Sequence, residues 1–240
     1  MAGRQRTNFL KLGVSNILPV QTLNFLHLDT TKKKRENQYA MDNTNSLCAA
    51  EAGQNFVDWF YTQLNSAKPI SSAYTTNNEP YKSFSSPLPS SSSPTVGIKS
   101  DICLNGRVIS SPEELETQLS SSKQFPKCPA DKTVRYAVES FDTTVVNGDY
   151  RVACPENLLE IHGKDDGVRM MISLNVSGTV YYGVDKLPKE NNESYVVRKH
   201  FNDHFLLVPN WDVIGRQNKN KNFVGRRYII ASHIHRAFDD

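Results

Sequence analysis

The sequence predicts an α+β fold, in which N-terminal helices pack on a strongly bent antiparallel β-sheet. Three observations carry this. Apolar residues first recur at helical three-four spacing, over residues 46–65. From Thr133 onward the pattern becomes alternation over long runs rich in branched and aromatic residues. The last two such runs, His200 to Val208 and Arg226 to Arg236, are free of Gly and Pro and have strand length. Helices first and strands after is the order of a sheet with its helices on one face.

In chain order, residues 1–43 carry seven Lys/Arg and no acid before Asp29, and their basic residues end in Lys32-Lys-Lys-Arg35. Three readings are open for this leader: a nuclear-import signal, a mitochondrial presequence, or a disordered basic extension. Met41 is a further candidate for the start of the protein. Residues 44–240 form the domain. Its first helix is expected to be capped by Ser46 and to place Ala49/Ala50, Gly53, Phe56/Val57, Phe60 and Leu64 on one buried face. A short helix or turn follows at Ile70 to Tyr74, after Pro69. The Ser/Pro-rich stretch 83–95 reads as a loop, with Ser86-Pro87 and Ser93-Pro94 as candidate phosphorylation sites.

Val96 to Leu104 is strand-like, Asn105-Gly106 is a two-residue hairpin turn, and Arg107 to Ile109 returns. Ser111, Pro112 and Glu114 then open a helix that buries Leu115 and Leu119. Thr133 to Val146 is a strand long enough to need a bulge near Ser140-Phe141. Val168 to Val176 is a strand, and Gly178 to Val184 continues it past a glycine kink. Long loops are expected at 147–167, 185–197 and 209–225. No internal repeat is visible.

Composition narrows the function classes. The apolar share, 38%, is below the globular average of roughly 45–50%, so part of the chain is expected to be unstructured. A net charge of +3 is too small to argue for nucleic acid without clustering. Cys48, Cys103, Cys128 and Cys154 have no C-x-x-C spacing, which gives neither a zinc knuckle nor a redox motif and favours a reducing compartment. No apolar run approaches about 18 residues, so no membrane helix or membrane partner is expected.

Five stretches, in order, resemble the nuclear transport factor 2-like family. They are Phe56-Val-Asp-Trp-Phe-Tyr-Thr-Gln-Leu64; Ile102-Cys-Leu-Asn-Gly-Arg-Val-Ile109 with the Ser-Ser-Pro-Glu-Glu-Leu115 that follows; Val176-Ser-Gly-Thr-Val180; Arg198 to Val208; and Tyr228 to Arg236. The resemblance covers roughly residues 46–239. It implies a cone-shaped bent sheet, a fold that hosts several unrelated functions.

Within the family the chain is most similar to the small subunit of the heterodimeric mRNA-export receptor. That likeness implies a non-enzymatic adaptor of the nucleus and nuclear pore that shuttles to the cytoplasm. Its implied partners are the related domain of the large subunit, in a heterodimer, and Phe-Gly nucleoporins; no cofactor and no metal are implied. The closing Arg of the family matches Arg236, and strand alternation then puts Tyr228, Ile230, Ser232, Ile234 and Arg236 on the partner-facing side. Phe201, Phe205 and Leu207 are expected to form core.

Two other branches compete. A Ran-GDP-type import carrier is implied to need an acidic cluster where this chain has Arg198-Lys199. A cone-pocket isomerase or dehydratase is implied to hold Asp, His and Tyr for acid–base work; the candidates are His233, His235, Asp203, Asp142 and Tyr136. His233 and His235 share a strand face that a metal can reach, but no third ligand lies nearby in sequence. The basic run Arg216 to Lys221 reads as a solvated hairpin loop with scope for weak RNA contact.

Overall fold

A computed structural model describes residues 44–84, 97–120, 134–163, 166–183 and 197–238, all within the compact unit Asp42–Asp240. The expected basic leader and most of the 83–95 and 185–197 loops lie outside the described residues. Helix α1 covers residues 44–65 and buries the stripe its spacing predicts, with Phe56, Phe60 and Leu64 at 5% exposure or less. Residue 44 is already helical, so Ser46 is not the cap. The sequence from Asp42 to Ser46 holds several cap-competent residues in a row, which leaves the start unspecified. Two 3₁₀ turns, Ser71–Ala73 and Thr75–Asn77, and the short helix α2, Glu79–Lys82, follow.

Strand β1 (Asp101–Leu104) and strand β2 (Arg107–Val108) flank the Asn105-Gly106 turn. Both turn residues have positive φ, +50° and +84°. This is the backbone such a turn needs, and Asn and Gly adopt it at least cost. Helix α3, Pro112–Ser120, is capped by Ser111, whose Oγ accepts from the Glu114 amide at 3.2 Å. The Glu114 carboxylate reaches back to the amide and hydroxyl of Ser110, one residue earlier than a standard capping box.

Strand β3 (Val134–Asn147), strand β4 (Met171–Tyr182), strand β5 (Val197–Pro209) and strand β6 (Tyr228–Phe238) complete a six-stranded sheet of order β2-β1-β6-β5-β4-β3. The sheet is mixed where the sequence predicts antiparallel pairing throughout: β1 runs parallel to β6. Hairpin signals are local, and a parallel pairing between the first and last strands leaves none. Gly178 does not kink or split β4. It sits opposite the β3 bulge between Val138 and Ser140, where a Cβ would meet the Ala137 carbonyl oxygen at 2.0 Å.

Two of the expected loops contain helices: α4, Glu156–Ile161, and α5, Trp211–Lys219. The stretch Arg216 to Lys221 is therefore mostly helix rather than hairpin loop. Asn210 caps α5, Asp212 lies in its first turn, and Arg216 and Lys219 lie in its last, which suits the helix dipole. Its buried stripe is only Trp211 and Ile214, too short to register as a period.

The main core lies between α1, α3 and the inner sheet face, with Phe201, Phe205 and Leu207 in it as expected. A second, smaller core joins Tyr81, Tyr150, Leu158, Val208, Trp211 and Ile229. It binds the two helical loops together: the Trp211 indole N–H donates to the Val152 carbonyl at 2.9 Å, and the Tyr81 hydroxyl to that of Pro209 at 2.8 Å.

Candidate partner-binding site

The five residues assigned to one face by alternation do not share it. The register between β5 and β6 shifts at Leu206/Leu207: Leu206 pairs with Ser232, Leu207 with Ile230, and Ala231 is left over. An extra residue reverses every side chain beyond it. Tyr228 and Ile230 therefore turn inward, at 7% and 0% exposure, and the Tyr228 hydroxyl donates to the Gly167 carbonyl at 3.1 Å. Ser232, Ile234 and Arg236 turn outward; the first two are half-buried and Arg236 is exposed.

Cross-strand pairing completes this outer surface. Ile234 stands beside His204, and Arg236 beside Asn202. The ring of His204 reaches the Ser173 hydroxyl on β4 at 3.0 Å. Phe238, 52% exposed, extends the same strip, with its ring 6.2 Å from that of His200. The sequence reading missed Phe238 and His204, although carrying the alternation two residues past Arg236 finds the first. Toward the other end of the strands, Val208 and Ile229 of the outer face are covered by the second core. The open part is thus a strip with Ile234 at its centre and polar groups around it.

Directly beneath, on the inner face, lies a buried polar cluster. Asp203 Oδ1 meets His235 Nδ1 at 2.6 Å and His233 Nε2 at 3.0 Å, and Oδ2 accepts from the Tyr61 hydroxyl at 2.5 Å. Tyr74 meets the other nitrogen of His233 at 2.9 Å. A neutral His233 that donates from Nε2 to the carboxylate thus accepts from Tyr74 at Nδ1. Burial works against the Asp203 charge, but the combined pull of His235 and His233 outweighs it and holds the carboxyl well below its usual range. Burial pushes His233 the other way, favouring its neutral form despite Asp203.

Asp203 is also the third ligand-type group that the sequence lacked for a metal site. The ligand atoms of Asp203, His233 and His235 lie within 4.8 Å of one another. Each is already committed to a hydrogen bond within the cluster. The imidazoles are wrapped by rings: Phe205 stacks on His233 at 4.2 Å, Phe201 on His235 at 6.1 Å, and Phe60 meets His233 edge-on at 5.7 Å. Exposure of the three groups is 2% or less. Of the other acid–base candidates, Tyr136 is buried nearby but donates to the Leu119 carbonyl at 3.1 Å, and Asp142 is exposed on β3. The arrangement fixes β5 against β6 beneath the outer strip, with the imidazoles buried and held by hydrogen bonds.

Neither a protein-family model nor a curated protein sequence matches the chain. Solved structures do. The chain is similar to the structure of Mtr2, with 39% identity over 80% of this chain and 99% of that one, at a TM-score of 0.62. It is similar at 40% identity to a chain of the Sac3N peptide bound to Mex67:Mtr2, and at 40% to a chain of the Chaetomium thermophilum Mex67 NTF2-like domain complexed with Mtr2. Each again covers 80% of this chain and 99% of that one, with a TM-score of 0.63.

Proposed function

The chain belongs to the nuclear transport factor 2-like family, beside Mtr2, which is solved in complex with Mex67, and on that premise we propose that it is itself the small subunit of an mRNA-export heterodimer. The observation that carries the reading is the likeness, over 80% of this chain and 99% of the other, to chains solved with Mex67, joined to an outer sheet strip that is apolar at its centre and polar at its rim. The chain acts as an adaptor. It lays β5 and β6 against the related domain of a larger subunit and works in the nucleus and at the pore, moving between nucleus and cytoplasm. Ser232, Ile234 and Arg236, with Phe238, are the residues that meet the partner. Phe-Gly nucleoporins are further partners of the assembled receptor. The basic end of α5 offers a weak, sequence-independent contact to RNA.

The buried, hydrogen-bonded state of the inner polar cluster supports a non-enzymatic role. The convergence of Asp203, His233 and His235 resembles the acid–base cluster of a cone-pocket isomerase or dehydratase, but each group is committed to hydrogen bonds within the cluster and packed against aromatic rings.

Co-purification with the large subunit's domain tests the adaptor reading. Ile234→Glu places an unpaired charge at the centre of the strip and is expected to weaken the complex by about 3 kcal/mol or more, over a hundredfold in Kd. Arg236→Ala is expected to cost less, about 2 kcal/mol. Retention of wild-type affinity by Ile234→Glu rejects this face.

A further inference from the structure

We propose that a groove between α1 and the α5–β6 segment docks an extended peptide of a partner protein, one that carries an apolar side chain between an acidic and a basic residue about four positions apart. The groove has a volume of about 610 Å³, within the range of sites that enclose a ligand. Its apolar lining includes Ala52 and Phe56 of α1, Val213 and Ile214 of α5, and Val224, which is 93% exposed. None of Ser232, Ile234 or Arg236 lines it, so the proposal stands whether or not the heterodimer face is right.

The charges give the occupant its chemistry. At one end the Arg226 guanidinium lies over the Trp59 ring, 3.6 Å from its centroid. Among the described residues its one hydrogen bond is long, from Nη2 to the Ser72 carbonyl at 3.4 Å, and Nε, out of solvent, has no acceptor. Burial alone pulls its pKa down, to about 10; among the described residues no carboxylate compensates it. A guanidinium carries five donors in a fork that suits a carboxylate, and this one is half-desolvated and under-used. At the other end the lining is acidic, with Glu51 of α1 and Asp166. Glu51 and Trp59 are eight residues apart on one helix, about 12 Å along its axis. An extended chain covers that distance in about four residues. A carboxylate near Arg226 and an ammonium near Glu51 therefore bracket an apolar side chain over Phe56 and Ile214.

The test uses the two tryptophans of the full chain, labelled as 5-fluorotryptophan, with Trp211 in the second core as the internal reference and Trp211→Phe for assignment. The probes are acetyl-Asp-Gly-Leu-Gly-Lys-amide, the same peptide with Asp and Lys exchanged, and acetyl-Asn-Gly-Leu-Gly-Gln-amide. The expected result is a saturable shift of the Trp59 fluorine resonance by one or both charged peptides, with Trp211 unmoved. The neutral peptide should need at least a tenfold higher concentration, and Arg226→Gln should lose the response by a similar factor. The unmoved Trp211 signal reports that the variant is folded; if it is not, the exposed Glu51→Gln replaces it and should weaken the charged peptides several-fold. No Trp59 shift up to about 10 mM peptide, equal binding of the neutral peptide, or indifference to these substitutions overturns the proposal.

Discussion

Asp203 is the residue on which the β5–β6 junction turns, because three side chains donate to its two oxygens in a site closed to water. Asp203→Ala strands three polar groups at once and is expected to cost about 3–5 kcal/mol, read from urea denaturation at pH 7. The pH dependence has a definite sign. Asp203 has a depressed folded pKa, so its contribution is complete above the unfolded value, about 3.9, and is lost as pH falls below it. His233 is held neutral in the fold, so the unfolded chain binds the extra proton below about 6.5, and stability falls there too. Stability should decline from pH 7 to pH 5, and decline less steeply in His233→Phe; an equal slope in that variant removes His233 from the effect. At this scale the sequence was half legible. His233 and His235 announce a shared face by spacing, but the carboxylate between them comes from another strand. The single extra residue at Ala231 sends Tyr228 and Ile230 inward, and nothing in a run of branched residues marks where a bulge will fall.

Among the elements, those with local chemistry were readable: α1 by its stripe, the Asn105-Gly106 turn by its positive φ, and α3 by Ser111 and Pro112. Helices α4 and α5 were not, since each is held by contact with the other's loop rather than by its own pattern. That dependence is testable. Trp211→Ala removes a side chain that is 1% exposed and is expected to destabilise the second core by about 3–5 kcal/mol. Hydrogen exchange should show lost protection over 147–167 and 209–225 together, with β3 and β4 unchanged. Loss confined to 209–225 would mean that the two loops do not fold as one unit.

For the whole molecule, the balance of its two sheet faces sets its behaviour. The inner face is filled by α1 and α3, while the outer face leaves Ile234 and Phe238 near solvent. An apolar strip of this kind on a lone chain favours self-association. Light scattering of the isolated chain should show dimers or larger species, and Ile234→Glu should shift them toward monomer; a monomeric wild-type chain argues that the strip is too weak to hold any partner. The fold class was legible from the order of helical and alternating patterns. The mixed sheet was not, because what places β6 next to β1 is the geometry of closing the domain.

That placement has a bearing on how the protein is made. Strand β1 is synthesised early and has only the two-residue β2 beside it until β6 arrives. A pairing so distant in sequence is slow to form, because the loop it closes costs entropy before any contact repays it. During translation the nascent chain therefore holds an unpaired strand edge and an unfilled interior until the sixth strand leaves the ribosome. The same strand carries the outer strip, so the surface proposed for the partner forms in the step that completes the core. A ribosome stalled before residue 228 then displays an incomplete sheet that chaperones must recognise.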